Sequence, residues 1–167
     1  MIKFCFLVDK SNPWIITYCS EFLMSKKLEP TKNIVYEVSD MSNFDVCFVL
    51  GYMKKIDITK LPEYCKFFVI HESSLPEGRG FAPVTWQIIE GKNKIDICLI
   101  KLEEEFDAGD IVLKDKIILD GDELYDEIRH KQACTTFKLI DEFLSIYPEI
   151  DSEEQSGEAS YYKRRSP

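Results

Sequence analysis

The sequence predicts an α/β fold: an open, mostly parallel sheet with helices on both faces. Two observations carry this expectation. Short runs at residues 2–8, 45–52 and 66–71 are apolar at nearly every position, as strands buried on both faces require. Segments with helical start and stop signals separate such runs, the alternation of a sheet covered by helices.

The first run is Ile2-Lys3-Phe4-Cys5-Phe6-Leu7-Val8. Ser11-Asn12-Pro13 then supplies a helix cap and a proline for the first helical position. Ile15, Cys19, Phe22, Leu23 and Lys26 fall on one face of the helix, and Pro30 is expected to stop it. Residues 33–38 read as a second, more polar strand, 45–52 as a third and 66–71 as a fourth ending in His71. Residues 83–90 read as a short helix closed by Gly91, and 95–102 and 111–119 as two further strands. Asp120-Gly121-Asp122-Glu123 is expected to cap a long helix with Ile128, Phe137, Ile140, Leu144 and Tyr147 on its apolar stripe, ending before Pro148. The domain is expected to span residues 1–150. Residues 151–167 read as a polar tail, or the start of a linker to a further C-terminal region.

A chain of 167 residues supports one domain with a sizeable core. No apolar run approaches the ~18 residues of a membrane span, and the first run is too short and too soon acidic for a signal peptide. Six cysteines without a Cys-x-x-Cys pair read as buried free thiols in strands and helices, which suits a reducing, cytoplasmic compartment. The formal net charge is -9, and residues 101–127 carry eleven acidic side chains against three lysines. Such a surface repels a polyanion, so nucleic acid is a disfavoured partner.

In parallel sheets of this kind ligands bind outside the carboxyl ends of the strands. His71 ends the fourth strand, and an imidazole there can accept or donate a proton near neutral pH. Asp107 follows one helix and one strand later, and a carboxylate beside the imidazole would orient it. Asp110 is a second candidate carboxylate, although it directly precedes a strand and can simply shape the turn. Gly109 permits a tight loop that exposes backbone amides. Ser73 and Ser74 lack the Gly-x-Ser-x-Gly elbow of a serine nucleophile. Neither a dinucleotide fingerprint nor a Walker-type loop is present, and the two histidines and scattered cysteines lack the spacing of metal ligands.

The wording of two segments is specific. His71-x-Ser73-x-Leu75-Pro76-x-x-Arg79-Gly80-x-Ala82-Pro83-x-x-Trp86 resembles the signature of folate-dependent formyltransferases, and Phe106-Asp107-Ala108-Gly109-Asp110-Ile111-Val112 is similar to their second signature. The resemblance covers roughly residues 45–119. It implies a Rossmann-like catalytic domain and an enzyme that moves a formyl group from 10-formyltetrahydrofolate to an amine. His71 and Asp107 would be catalytic; Arg79, Gly80, Phe81, Ala108, Gly109 and Asp110 would border the folate. The family places an asparagine two residues before the histidine, where this chain has Val69. Val69 has no hydrogen-bond donor, and loss of one oxyanion donor costs about 100- to 1000-fold in rate.

The segment from Glu158 to Pro167, ending Lys163-Arg164-Arg165-Ser166-Pro167, resembles one that follows the catalytic domain in sugar N-formyltransferases. The resemblance therefore implies an amino sugar on a nucleotide as the acceptor, in a surface-polysaccharide or flagellar glycan pathway. Two alternatives stand beside it: an enzyme acting on methionyl-tRNA, or a catalytically impaired binder of folate or sugar nucleotide. A homodimer is compatible with all three.

Overall fold

The computed structural model describes residues 2–165, so Met1, Ser166 and Pro167 of the sequence readings lie outside the described residues. The chain divides into two compact units, Met1–Val69 and Ile70–Pro167.

The first unit holds β1 (Phe4–Val8), α1 (Pro13–Ser25), α2 (Pro30–Asn33), β2 (Ile34–Val35), β3 (Val46–Leu50) and the start of β4 (Lys66–His71). These strands are parallel in the order β2-β1-β3-β4. Every residue of β1 and β3 is buried, which is why both runs are uniformly apolar. Phe4, Phe6, Phe22 and Phe48 meet edge-to-face or tilted at its centre. Ile15, Cys19 and Leu23, one turn apart, turn the buried face of α1 inward.

Three local expectations fail here. Asn12 occupies the cap position of α1 without capping it; its Nδ2 donates instead to the Gly51 carbonyl at 2.5 Å. Pro30 does not stop α1, which ends at Ser25 ahead of the left-handed Lys27; Pro30 opens α2. The second strand shrinks to two residues, because Tyr36 lies under the Lys10 ammonium and Glu37 pairs with Lys54, and a 3-10 turn follows at Val38–Asp40.

The second unit begins with the last two residues of β4. It continues through β5 (Arg79–Gly80), α3 (Pro83–Ile89), β6 (Lys94–Lys101), β7 (Ile111–Ile118), α4 (Tyr125–Ile146) and β8 (Tyr161–Tyr162). β6 and β7 pair antiparallel, with a register shift between Leu99 and Ile100. α4 packs on these two strands. Its buried stripe is Gln132, Ala133, Thr136, Leu139, Ile140 and Phe143. Of the expected stripe only Ile140 is fully buried, because two polar residues take inward positions that composition assigns to apolar ones. The Glu127 carboxylate accepts from the Leu124 amide, while Glu123 holds the amides of Asp120 and Gly121.

Beyond Pro148 the chain folds back on its own unit. Glu153 and Ile111 exchange backbone hydrogen bonds of 2.8 and 2.9 Å, and Tyr161–Tyr162 lies parallel to Arg79–Gly80 as a two-stranded ribbon. The fold class is the expected one, α/β and Rossmann-like, with mostly parallel strands and an antiparallel pair. All six cysteines are free; five are buried, while Cys134 is exposed on α4 and Cys65 sits in a bend before β4 rather than in a strand. No helix among the described residues is long and apolar enough to cross a membrane.

Candidate active site

The site residues singled out in the sequence all fall in the second unit. β4 delivers His71 as its last residue, 5 % exposed. The following turn brings the Gly78 carbonyl to 2.8 Å from Nε2, so Nε2–H donates to it. The other ring nitrogen, Nδ1, lies 3.4 Å from Asp107 Oδ1. Both ring nitrogens thus face acceptors. The neutral ring satisfies Gly78 and leaves a lone pair toward Asp107; the protonated ring satisfies both.

Asp107 is held from several sides. Its backbone is left-handed (φ 55), uncommon outside glycine, which points the carboxylate back toward β4. Oδ2 accepts from the Gly80 amide at 2.8 Å, so the two oxygens are divided between histidine and backbone. Gln155 completes the support: its Nε2 donates to the Asp107 carbonyl at 2.7 Å and to the Gly109 carbonyl at 2.8 Å.

The glycines are fixed by contact. A Cβ on Gly109 would lie 1.8 Å from the Lys101 carbonyl oxygen, and one on Gly80 (φ 101) 2.4 Å from the Tyr162 carbonyl oxygen. Gly109 therefore serves close packing of the loop on β6 rather than an unusual φ.

Arg79 is 9 % exposed, and protein partners surround its guanidinium. Nε and Nη2 donate to Gln155 Oε1 at 3.2 and 2.9 Å, and Nη1 to Glu105 Oε1 at 3.0 Å and to Tyr161 Oη at 3.3 Å. Asp110 turns away from His71: Oδ2 accepts from Lys101 Nζ at 3.1 Å and Ser152 Oγ at 3.2 Å. Ala108 closes the turn, its amide donating to the Glu105 carbonyl at 3.4 Å. The Phe81 ring lies 6.0 Å from that of Phe106 and 4.6 Å below the Arg164 guanidinium. Trp86 stacks on Tyr162, and its indole N–H donates to the Lys163 carbonyl at 3.0 Å.

Next to His71, the Glu72 side chain is half-buried. Burial pushes its pKa up, opposed by the charge of His71, a hydrogen bond from Gln132 and the charge of Arg129. Gln87 of α3 holds the Glu72 carbonyl at 2.7 Å, fixing the end of β4. The sequence carried no signal for Gln155, Glu105 or Gln132. Their roles arise from partners dozens of positions away. Among the described residues no group of three or more His, Cys, Asp or Glu could hold a metal ion.

Fold and site together define an α/β protein with a buried histidine–carboxylate pair equipped for proton transfer. The family model described as formyl transferase matches residues 10–140, and the chain belongs to that family. It is 30% identical over 145 residues to a methionyl-tRNA formyltransferase of Sulfurihydrogenibium sp. (strain YO3AOP1), covering 83% of this chain and 45% of that protein. The chain thus spans about half the length of the curated relatives it matches. Among solved structures it is similar to methionyl-tRNA formyltransferase from Clostridium thermocellum, with a TM-score of 0.77, 22% identity, and coverage of 99% of this chain and 74% of that one. It is also similar to the N-formyltransferase from Helicobacter canadensis in complex with folinic acid and dTDP-3-aminofucose, with a TM-score of 0.70, 15% identity, and coverage of 98% and 71%.

Proposed function

We propose that this chain transfers a formyl group from 10-formyltetrahydrofolate to the amine of an amino sugar carried on a nucleotide. The observation that carries the reading is the His71–Asp107 pair, 3.4 Å apart and nearly buried, in a chain of the formyl transferase family. Formyl transfer forms one N–C bond, breaks another, and moves a proton from the attacking amine to the nitrogen of the departing tetrahydrofolate. Asp107 is positioned to take that proton directly or by way of His71. His71 in its protonated form, its two N–H groups held by Gly78 and Asp107, lends positive charge near where negative charge grows on the formyl oxygen.

The folate supplies an activated formyl carbon. The tilted Phe81 and Phe106 rings beside the Asp107 loop offer the flat apolar surface a pterin suits. Gly80, Ala108, Gly109 and Asp110 would border it through their backbone. Arg79 would act by holding that border in place, since its donors are engaged within the protein.

The net charge of -9 favours a small acceptor over a large polyanion. The H. canadensis enzyme, solved with dTDP-3-aminofucose, is in keeping with a nucleotide-sugar acceptor. A second reading, methionyl-tRNA as acceptor, is favoured by the names of the curated relatives. Six free thiols are in keeping with a cytoplasmic location.

The test is incubation with 10-formyltetrahydrofolate and, in separate arms, a panel of amino-sugar nucleotides and methionyl-tRNA. Mass analysis of each acceptor follows. A gain of one formyl group on a nucleotide sugar is the expected result. A gain on methionyl-tRNA alone moves the acceptor to the second reading. Folate binding with no gain in any arm overturns the enzyme reading.

A further inference from the structure

We propose that Gln155 is a positioning residue for Asp107. The inference rests on the formyl-transfer reading. Gln155 spends both ends of its amide on the site. Its NH2 group bridges the carbonyls of Asp107 and Gly109 at 2.7 and 2.8 Å, and its oxygen takes two donors of the Arg79 guanidinium at 2.9 and 3.2 Å. The first pair clamps the backbone on both sides of Ala108, holding Asp107 in its left-handed conformation. That conformation aims one carboxylate oxygen at His71 and the other at the Gly80 amide.

The second pair ties the clamp to β5. Arg79 and Gly80 are adjacent, so a single amide fixes the donor to Asp107 Oδ2 as well as the loop that carries Asp107. Gln155 is itself anchored: two residues earlier, Glu153 pairs its backbone with Ile111, and further on Ser160 Oγ accepts from the Gly78 amide at 2.8 Å. Gly78 in turn offers its carbonyl to His71. The segment 153–160 thus reaches both partners of the histidine, and Gln155 bonds the Asp107 loop with its NH2 group and Arg79 with its oxygen.

Two variants separate the halves of the clamp. Gln155→Glu keeps an acceptor for Arg79 and loses the donors to the two carbonyls; Gln155→Ala loses both. A misplaced catalytic group costs about 10²-fold for a displacement on the order of 1 Å. Both variants are therefore expected to lower kcat roughly tenfold to a hundredfold, with the KM for formyl donor and acceptor moving far less. An independent readout uses amide hydrogen exchange. The Gly80 amide is expected to exchange faster in both variants, while the β6–β7 ladder keeps its protection. Wild-type kcat and Gly80 protection in Gln155→Glu would overturn the proposal. So would uniform loss of protection throughout the unit, which marks Gln155 as a general stabiliser. If the wild-type protein transfers no formyl group, the functional reading fails on its own, and Gly80 exchange still decides whether Gln155 sets Asp107.

Discussion

Asp107 divides its carboxylate, giving Oδ1 to His71 and Oδ2 to the Gly80 amide. An imidazole backed in this way keeps its orientation through a proton transfer, because the carboxylate cannot swing away without breaking a backbone hydrogen bond. His71→Ala is expected to lower formyl transfer by about 10²- to 10⁴-fold while leaving the thermal midpoint within a few degrees of the parent. Near-normal turnover by the variant would remove His71 from the chemistry.

Gly109 sits against β6 so closely that any side chain must displace backbone. Gly109→Ala is expected to cost at least about 2 kcal/mol, read from urea unfolding. Gly91→Ala is the comparison. Unlike Gly109 it has a left-handed φ, 81, that disfavours alanine, but nothing lies within 4 Å of the added methyl, so its cost should stay near ~1 kcal/mol. Equal losses in the two variants would mean that the Lys101 contact adds nothing.

Val69 is half-buried in β4, two positions ahead of His71. If the protein manages without the family's asparagine, restoring it should leave turnover unchanged or raise it. Val69→Asn is therefore expected to transfer formyl at least as fast as the parent, with at most a small loss of stability from a half-buried amide. Loss of activity in a variant that still folds would show that the apolar residue is used in its own right.

The half-buried Glu72 predicts a pH dependence of stability. Its folded pKa is raised above the ordinary 4.5. The folded protein therefore holds a proton that the unfolded chain releases, and stability falls as pH rises from that value through the raised one. Gln132, His71 and Arg129 oppose the shift without abolishing it. Glu72→Gln keeps an acceptor for Gln132 and removes the titration. Its thermal midpoint should decline less than the parent's between mildly acidic and mildly alkaline buffer. Parallel curves for the two proteins would exclude this role.

The central strands were legible because burial on both faces leaves an unbroken apolar run. Residues 66–71 were bounded correctly, since a charged residue opens the run and His71 closes it. The strands at 94–101 and 111–118 were found within a residue. The stripe of α4 slipped because Gln132 and Thr136 are buried, and Gln132 pairs with Glu72, a partner sixty positions away. The two-residue strands β5 and β8 are too short to carry any alternation, so nothing local announces them. His71 and Asp107 were legible from the chemistry of strand ends and from the resemblance. Gln155 was not, since an isolated glutamine in a polar stretch reads as solvent-facing until its partners are in view.

The ribbon of Arg79–Gly80 with Tyr161–Tyr162 also sets an order of events during synthesis. Arg79 and Tyr161 are 82 positions apart, and a loop of that size closes at an entropic cost that grows only slowly with length, about 0.6 kcal/mol per doubling. Closure is thus thermodynamically cheap and temporally late. A nascent chain released as far as residue 150 already carries both motifs, yet it lacks the segment that sets Asp107 and shelters the Arg79 charge. The geometry of the His71–Asp107 pair is completed only once residues 153–162 have emerged from the ribosome, so a chain released no further than residue 150 does not yet present the finished pair.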